Sequence, residues 1–349
     1  MLVLGIETSC DETAVALVED GLRVRANVIG TQLEQHRPYG GVVPEIAARA
    51  HLELLLPTLD RALVEGGCTY DDIDAVAVTL GPGLIGALLV GVGAAKALAL
   101  AHDLPFIGVN HLEGHVVASQ LEYGRLATPL LALIVSGGHT SLVLLDEDGA
   151  FRSVGATIDD AAGEAFDKVG RFLGLPYPGG PEIDRLAASG DPNAIPFPRA
   201  LQGDGYDFSF SGLKTAVVRE LRRRQAAGEA IDLADVAASF QEAVVDVQVD
   251  KTLRAARDLG VEQVTVVGGV AANSRLRARM EEACSREGLR LLLPSPALCT
   301  DNGAMIAAAG SNRLAAGQRT PLDAAADPNL PFDPLPIGAD PEPRRATDA

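Results

Sequence analysis

The strongest constraint on this chain is an internal duplication. Leu2–Ile6 and Ala14–Glu19 read as a strand pair around a polar turn, and the second strand runs into Glu19-Asp20-Gly21. Leu131–Val135 and Ser141–Leu145 repeat the pattern around Gly137-Gly138 and run into Asp146-Glu147-Asp148-Gly149. The first pair is followed by a third strand at Val24–Gly30, a helix over Glu45–Val64 that ends at Gly66-Gly67, and a β-branched strand at Ala75–Thr79. A glycine-dotted helix, a strand at Phe106–Val109 and a helix at His111–Leu121 complete that half. The second pair is followed later by a long helix (Leu233–Leu259), a strand (Gln263–Val267), a helix (Ser274–Glu287) and a strand (Leu289–Leu293). Strand–helix alternation predicts a largely parallel sheet with helices on both faces. Duplication of a hairpin-led α/β unit predicts two similar lobes facing a cleft.

That plan is the one found in actin-like, sugar-kinase-like ATPases (the ASKHA, ribonuclease H-like group). The expected fold class is therefore α/β, duplicated and two-lobed with a cleft. The chain's 349 residues are enough for two lobes of ordinary size. We expect an N-terminal lobe over 1–125 and a C-terminal lobe over 126–300 that carries a Gly/Pro-rich loop at 176–213. A last helix at about 301–317 is expected to return to the first lobe, and the Pro-, Asp- and Ala-rich segment 321–349 reads as an extended or disordered tail. No apolar run reaches the roughly 18 residues that span a bilayer, because Leu84–Leu100 is broken by Gly86, Gly91, Gly93 and Lys96. No basic segment precedes the first strand, so no secretory signal is expected. Cys10, Cys68, Cys284 and Cys299 form no CxxC pair and read as reduced thiols of a cytoplasmic protein with no membrane partner.

The net charge of −18 argues against coating nucleic acid by charge alone. Two basic runs, Arg219 with Arg222–Arg224 and Arg275 with Arg277 and Arg279, read in isolation as solvated helix faces. Three glycine turns follow strands, at Gly81–Gly83, Gly137-Gly138 and Gly268-Gly269. Glycine lets backbone N–H groups approach a phosphate while the next helix aims its positive end at it. Three such turns at equivalent places point to a nucleotide. With no GxxxxGK[ST] in the chain, it is not held in a Walker-type loop.

His111 and His115 stand four residues apart and so share one helix face, the usual way for one helix to supply two metal ligands. Two imidazoles still need a carboxylate and an open position, and Asp11, Glu12 and Asp301 are the candidates. Glu7-Thr8-Ser9-Cys10-Asp11-Glu12-Thr13 puts three carboxylates beside hydroxyls and a thiol in one hairpin turn, more than a turn requires. Asp11 is the favoured general base and Glu12 the alternative.

Taken together these segments resemble the tRNA threonylcarbamoyladenosine biosynthesis family TsaD (also called Gcp), in its bacterial form. The resemblance rests on Gly5–Thr13, Pro44-Glu45, His111–His115, Val135–Thr140, Tyr177–Pro181, Phe208–Thr215, Gly268–Asn273 and Thr300–Gly303, in family order over residues 1 to about 317. It implies transfer of the threonylcarbamoyl group of threonylcarbamoyl-AMP to the exocyclic amine of the adenosine 3′ of the anticodon, in tRNAs that read ANN codons. It also implies one divalent metal per chain, Fe(2+) favoured and Zn(2+) possible, on His111, His115 and Asp301. Substrate contacts would fall on Ile134, Val135, Ser136, Gly137, Gly138, Asp167, Gly180, Asp184 and Asn273. The implied partners are tRNA, a TsaB-like paralogue and a TsaE-like ATPase, with a TsaC-type enzyme supplying the adenylate. For an acidic chain, that reading turns Arg219–Arg224 into local tRNA contacts.

Three other readings compete with this one. A zinc endopeptidase of the HExxH type needs Glu directly after the first His, where this chain has Leu112 and moves the acid to Glu113. A kinase or ATPase of the same architecture would move phosphate from ATP without tRNA. A non-catalytic scaffold has no use for the intact His111, His115 and Asp301 set.

Overall fold

The computed structural model describes residues 1–203 and 205–332; the tail reading over 333–349 lies outside them. In chain order the elements begin β1 (Leu2–Glu7), β2 (Glu12–Glu19), β3 (Arg23–Thr31), α1 (Leu33–His36), α2 (Pro44–Gly66), β4 (Ala75–Gly81), α3 (Ile85–Ala101), β5 (Phe106–Asn110) and α4 (His111–Ala118). They continue with α5 (Gln120–Tyr123), β6 (Leu130–Val135), β7 (Thr140–Leu145), β8 (Phe151–Ala156), α6 (Ala162–Phe172), α7 (Gly179–Ala187), α8 (Ser211–Ala227) and α9 (Leu233–Leu259). The last are β9 (Gln263–Val267), α10 (Ser274–Glu287), β10 (Arg290–Leu292), α11 (Pro296–Cys299) and α12 (Gly303–Ala315). Among the described residues, one compact unit comprises Met1–Gln32, Pro44–Val117 and those from Asn302 on; the other comprises Leu33–Val43 and those of Ala118–Asp301.

Each unit is built on a five-stranded sheet, and the two sheets follow one plan. The first has the order β3-β2-β1-β4-β5 and the second β8-β7-β6-β9-β10. In both, the hairpin strands pair antiparallel, while β4 and β9 pair parallel with β1 and β6, and β5 and β10 pair parallel with β4 and β9. The second hairpin strand also slips register against the third in both sheets, at Leu17/Val18 and at Leu142/Val143. β1, β4, β5, β6, β7 and β9 are buried along their whole lengths. That is why they read as continuous apolar runs: strands covered on both faces do not alternate.

In the first unit, α12 lies directly on the sheet. A Cβ on Gly5 of β1 would sit 2.4 Å from the Gly303 carbonyl oxygen, and one on Gly303 would sit 2.6 Å from the Ala16 nitrogen. Only glycine permits that approach. Residues 321–332 carry no helix or strand. They run along the β4 and β5 ends, where Asp327 N–H donates to the Leu80 carbonyl (2.9 Å) and Lys96 to that of Ala324 (2.5 Å). Among the described residues, no helix is long and apolar enough to cross a membrane.

The second unit differs from the sequence reading in several elements. β8 is a half-exposed edge strand whose FRSVGA shows no apolar alternation. α6 answers to no element expected from the sequence, and α7 sits inside the segment expected to be a Gly/Pro-rich loop. The Arg275–Arg279 run is also no solvated face. Arg275 and Arg279 both pair with Glu242, Arg279 also reaches Asp246 (3.0 Å), and Arg277 donates to the carbonyls of Ala271, Leu293 and Pro294. In the other run, Arg223 and Arg224 pair with Glu220 on α8. Cys284 and Cys299 are buried, and burial pushes both thiols up to about 11.

Candidate functional site

β5 ends at Asn110, whose side-chain oxygen accepts the Leu112 N–H (2.9 Å) and so starts α4. The helix expected to run to Leu121 breaks at Ser119 and resumes as α5, leaving His111 and His115 on the first, buried segment. The two imidazoles are 4% and 0% exposed and meet edge to face, with centroids 4.7 Å apart. One ligand atom from each of His111, His115 and Asp301 lies within 4.8 Å of the others. Of the three carboxylates considered for the third position, Asp301 is the one that joins this group. Two imidazoles and a carboxylate fit a divalent transition metal with coordination positions left open.

Two contacts hold the group together. A Cβ on Gly114, between the histidines, would lie 2.8 Å from the Ile306 side chain, so glycine lets α12 close on α4. Glu113 forms a buried pair with Arg313 on α12 (2.5 Å), a bond whose loss would cost about 3–5 kcal/mol. Asp301 directly precedes Asn302, whose side chain caps α12 by accepting the Met305 N–H (3.0 Å). The pairing with Arg313 also removes Glu113 as a peptidase base.

The β1–β2 turn is organised by buried side chains. Thr8 donates to the Ala87 carbonyl (3.0 Å). His51 of α2 touches the Thr13 hydroxyl (2.7 Å) and the Cys10 carbonyl (3.0 Å). Glu7, fully buried at the end of β1, accepts from the Ser9 N–H and the Thr79 hydroxyl and lies 3.1 Å from His111 Nδ1. The Ser9 hydroxyl is 3.2 Å from the same nitrogen. The Asp11 carbonyl takes the Gln32 N–H (3.2 Å), and the Glu12 carboxylate accepts from Thr31 (2.9 Å). Glu7 and His51 received no role in the sequence reading. The signal for Glu7 was present: a carboxylate closing an otherwise apolar, buried strand is rarely incidental.

The second unit assembles the other predicted residues into a closed ring of close approaches. Ile134 and Val135 end β6, and Ser136–His139 form its turn, with Ser136 N–H donating to the His139 carbonyl (2.8 Å). A Cβ on Gly163 of α6 would lie 2.8 Å from Gly137 Cα, and Gly163 N–H donates to the Ser136 carbonyl (3.2 Å). Asp167, one turn further on, accepts the Gly179 N–H that begins α7 (2.7 Å). Asp184 of α7 accepts from the Asn273 amide (3.3 Å) and the Ser274 hydroxyl (2.8 Å). Asn273 caps α10 through Leu276 N–H (2.9 Å) and donates to Gln241 (2.8 Å). Gly268, at φ +91°, closes the ring: its Cβ would lie 2.4 Å from the Val135 carbonyl. Gly137, Gly138 and Gly269 are exposed, with open space on their Cβ sides. The third glycine turn is different. A Cβ on Gly81 would collide with the Asp327 carbonyl at 1.8 Å, so that turn accommodates the chain's own backbone.

An ion network beside α6 has no counterpart among the sequence expectations. Asp160 receives Lys168 (2.8 Å) and Lys214 (3.0 Å), and Lys168 also reaches Glu164 (2.7 Å). Burial works against the Asp160 charge, but hydrogen bonds from the two lysines outweigh it and hold the carboxyl below its ordinary value. The bonds to Asp160 and then Glu164 raise Lys168. Asp159 accepts the N–H groups of Phe210 (2.8 Å) and Ser211 (3.3 Å) at the start of α8. Phe208–Thr215 thus owes its conformation to two aspartates that no local pattern announced.

The sequence model of the family described as "TsaD: tRNA N6-adenosine threonylcarbamoyltransferase" matches residues 23–308. A Bacillus cereus protein named tRNA N6-adenosine threonylcarbamoyltransferase is 54% identical over 334 residues, covering 95% of this chain and 97% of the relative. Proteins of the same name from Geobacillus thermodenitrificans and Bacillus subtilis are 55% and 54% identical over 332 residues, covering 95% of this chain and 96% and 95% of the relatives. Among solved structures, T. kodakarensis HypF aligns at TM-score 0.62 and 16% identity, over 90% of this chain and 48% of its own. The activator of the 2-hydroxyisocaproyl-CoA dehydratase from Clostridium difficile with bound ADPNP aligns at 0.53 and 14%, over 91% and 97%. At such identities the structures show the fold alone, and it is the expected actin-like α/β fold.

Proposed function

Because this chain belongs to the tRNA N6-adenosine threonylcarbamoyltransferase family, we propose a reaction in which the threonylcarbamoyl group of threonylcarbamoyl-AMP passes to the N6 amine of an adenosine. That adenosine lies 3′ of the anticodon in tRNAs reading ANN codons. The likeness to enzymes of that name over nearly the whole chain carries the reading. Ile134–Gly138, Asp167, Gly180, Asp184 and Asn273 hold the adenylate, with open glycines offering backbone N–H groups to its phosphate. His111, His115 and Asp301 hold one divalent metal, iron in preference to zinc, which when bound supplies Lewis-acid polarisation of a phosphate or carbamoyl oxygen. The amine attacks the carbamoyl carbon, the bond to the phosphate oxygen breaks, and AMP leaves with the electron pair. Asp11, or Glu12 in its place, takes the amine proton. Fixing the amine against the carbon supplies much of the remaining barrier reduction.

The decisive assay incubates tRNA with threonine, bicarbonate, ATP, this chain and its partner proteins, then analyses the nucleosides. Threonylcarbamoyladenosine is expected, and its absence from a complete mixture rejects the reading. In the same assay Asp11→Ala is expected to lose transfer with metal and adenylate still bound; normal transfer would move the base to Glu12.

The partners are a TsaB-like paralogue and a TsaE-like ATPase, and a reaction on tRNA supports a cytoplasmic setting. Support for the paralogue comes from α2 and α3, which lie close enough for a Cβ on Gly86 to sit 3.1 Å from Ala48. Their outer faces carry Leu52 (66% exposed), Leu56 (64%), Ile85 (46%) and Leu89 (57%). Large apolar side chains exposed on two neighbouring helices support an interaction surface here. Leu56→Asp with Leu89→Asp is expected to weaken association at least tenfold in gel filtration or calorimetry while leaving the melting profile unchanged. Undiminished association would reject this face.

A further inference from the structure

We propose that Glu7 is a positioning residue for His111: its carboxylate accepts a hydrogen bond from Nδ1–H and so presents Nε2 as the ligand atom. The inference rests on the reading of His111 as a metal ligand and adds to it the device that orients the ring.

Glu7 is 0% exposed, and a buried carboxylate is costly unless its oxygens are met by donors. Oε1 takes the Ser9 N–H, while Oε2 takes the Thr79 hydroxyl and faces His111 Nδ1 at 3.1 Å. With both oxygens engaged as acceptors, the hydrogen bond to the ring runs from Nδ1–H to the carboxylate. A neutral imidazole that donates from Nδ1 has its lone pair on Nε2. The Ser9 hydroxyl, 3.2 Å from Nδ1, cannot set this direction alone, because a hydroxyl donates or accepts with equal ease. The carboxylate can only accept.

The arrangement is held from three elements. Glu7 closes β1, Thr79 lies on the neighbouring strand β4, and His111 opens α4. Glu7 is not one of the three residues that form the metal group. Its effect therefore passes through the ring it holds, and outer carboxylates of this kind typically change metal affinity 10- to 100-fold.

The test uses the full chain labelled with 15N-histidine, prepared metal-free and with zinc. Long-range 1H–15N correlation in the metal-free protein is expected to show His111 as the Nδ1–H tautomer, with His111→Ala providing the assignment. Glu7→Gln, whose amide can turn its NH2 toward Nδ1 and leave the ring proton on Nε2, is expected to show mixed tautomers. Its zinc affinity, measured by chelator competition, should fall about 10- to 100-fold. Thr79→Val, which keeps the carboxylate, should change affinity less than Glu7→Gln. An Nε2–H tautomer in the wild-type chain overturns the proposal, as does folded Glu7→Gln with wild-type zinc affinity. If Glu7→Gln fails to fold, the wild-type tautomer decides. Zinc affinity unchanged in His111→Ala would instead reject the metal reading beneath it.

Discussion

His111→Ala is expected to lose its metal on dialysis and to lower threonylcarbamoyl transfer on the order of 10³-fold. A Lewis acid contributes several kcal/mol to transition-state stabilisation, and about 1.4 kcal/mol corresponds to each decade of rate. The histidine lies in a group of three whose ligand atoms fall within 4.8 Å of one another, so removing one donor leaves two. The helix should survive. Asn110 still caps it, Glu113 still pairs with Arg313, and α12 still rests on Gly114. His115→Ala and Asp301→Ala should give the same loss, because each removes one ligand from the same group. Elemental analysis of the dialysed protein, single-turnover transfer and a thermal melt separate loss of metal from loss of fold. Full metal content with normal transfer in any one of the three would remove that residue from the centre. The same variants address the peptidase alternative: Leu112 follows the first histidine, and Glu113 is committed to Arg313.

What the sequence made legible was set by how local each determinant was. The two hairpins could be read because burial on both faces produces long apolar strands, broken only at the turns. β8 could not, since an edge strand with one wet face imposes little on FRSVGA. α6 carried a readable pattern in Ala162, Ala165, Phe166 and Val169, all on the buried face. α7 was concealed by Gly179-Gly180-Pro181, which look like helix breakers but occupy a first turn where Pro is tolerated and Asp167 supplies a cap. The histidine pair followed from spacing, whereas the choice of Asp301 over Asp11 or Glu12 depends on α12 closing against Gly114, a tertiary contact. Glycine itself is ambiguous in sequence. Gly137 leaves room on an open turn and Gly81 leaves room for Asp327, yet both read as strand–glycine turns.

Gly163→Val tests whether α6 buttresses the open turn. At this position the three atoms nearest an added Cβ are all backbone: the Ser136 carbonyl oxygen at 2.6 Å, Gly137 Cα at 2.8 Å and Gly137 nitrogen at 2.9 Å. None of these can swing aside as a side chain would, so either the helix or the turn must shift. Overpacking of this kind costs about 1–3 kcal/mol, and the displacement bears on the Ser136–Gly138 segment proposed to hold the adenylate phosphate. The residues proposed to hold the metal, His111 and His115 on α4 and Asp301 just before α12, lie outside α6 and this turn. KM for the adenylate is therefore expected to rise at least tenfold, with metal content unchanged and kcat reduced much less. Gly212→Ala is the matched control. Gly212 lies in α8 with nothing within 4 Å of an added Cβ, and alanine in a helix is favoured over glycine by about 1 kcal/mol. That variant should keep wild-type kinetics and melt no lower. Should Gly163→Val keep the wild-type KM, the turn would not depend on α6, and the adenylate site would have to be sought away from Gly137.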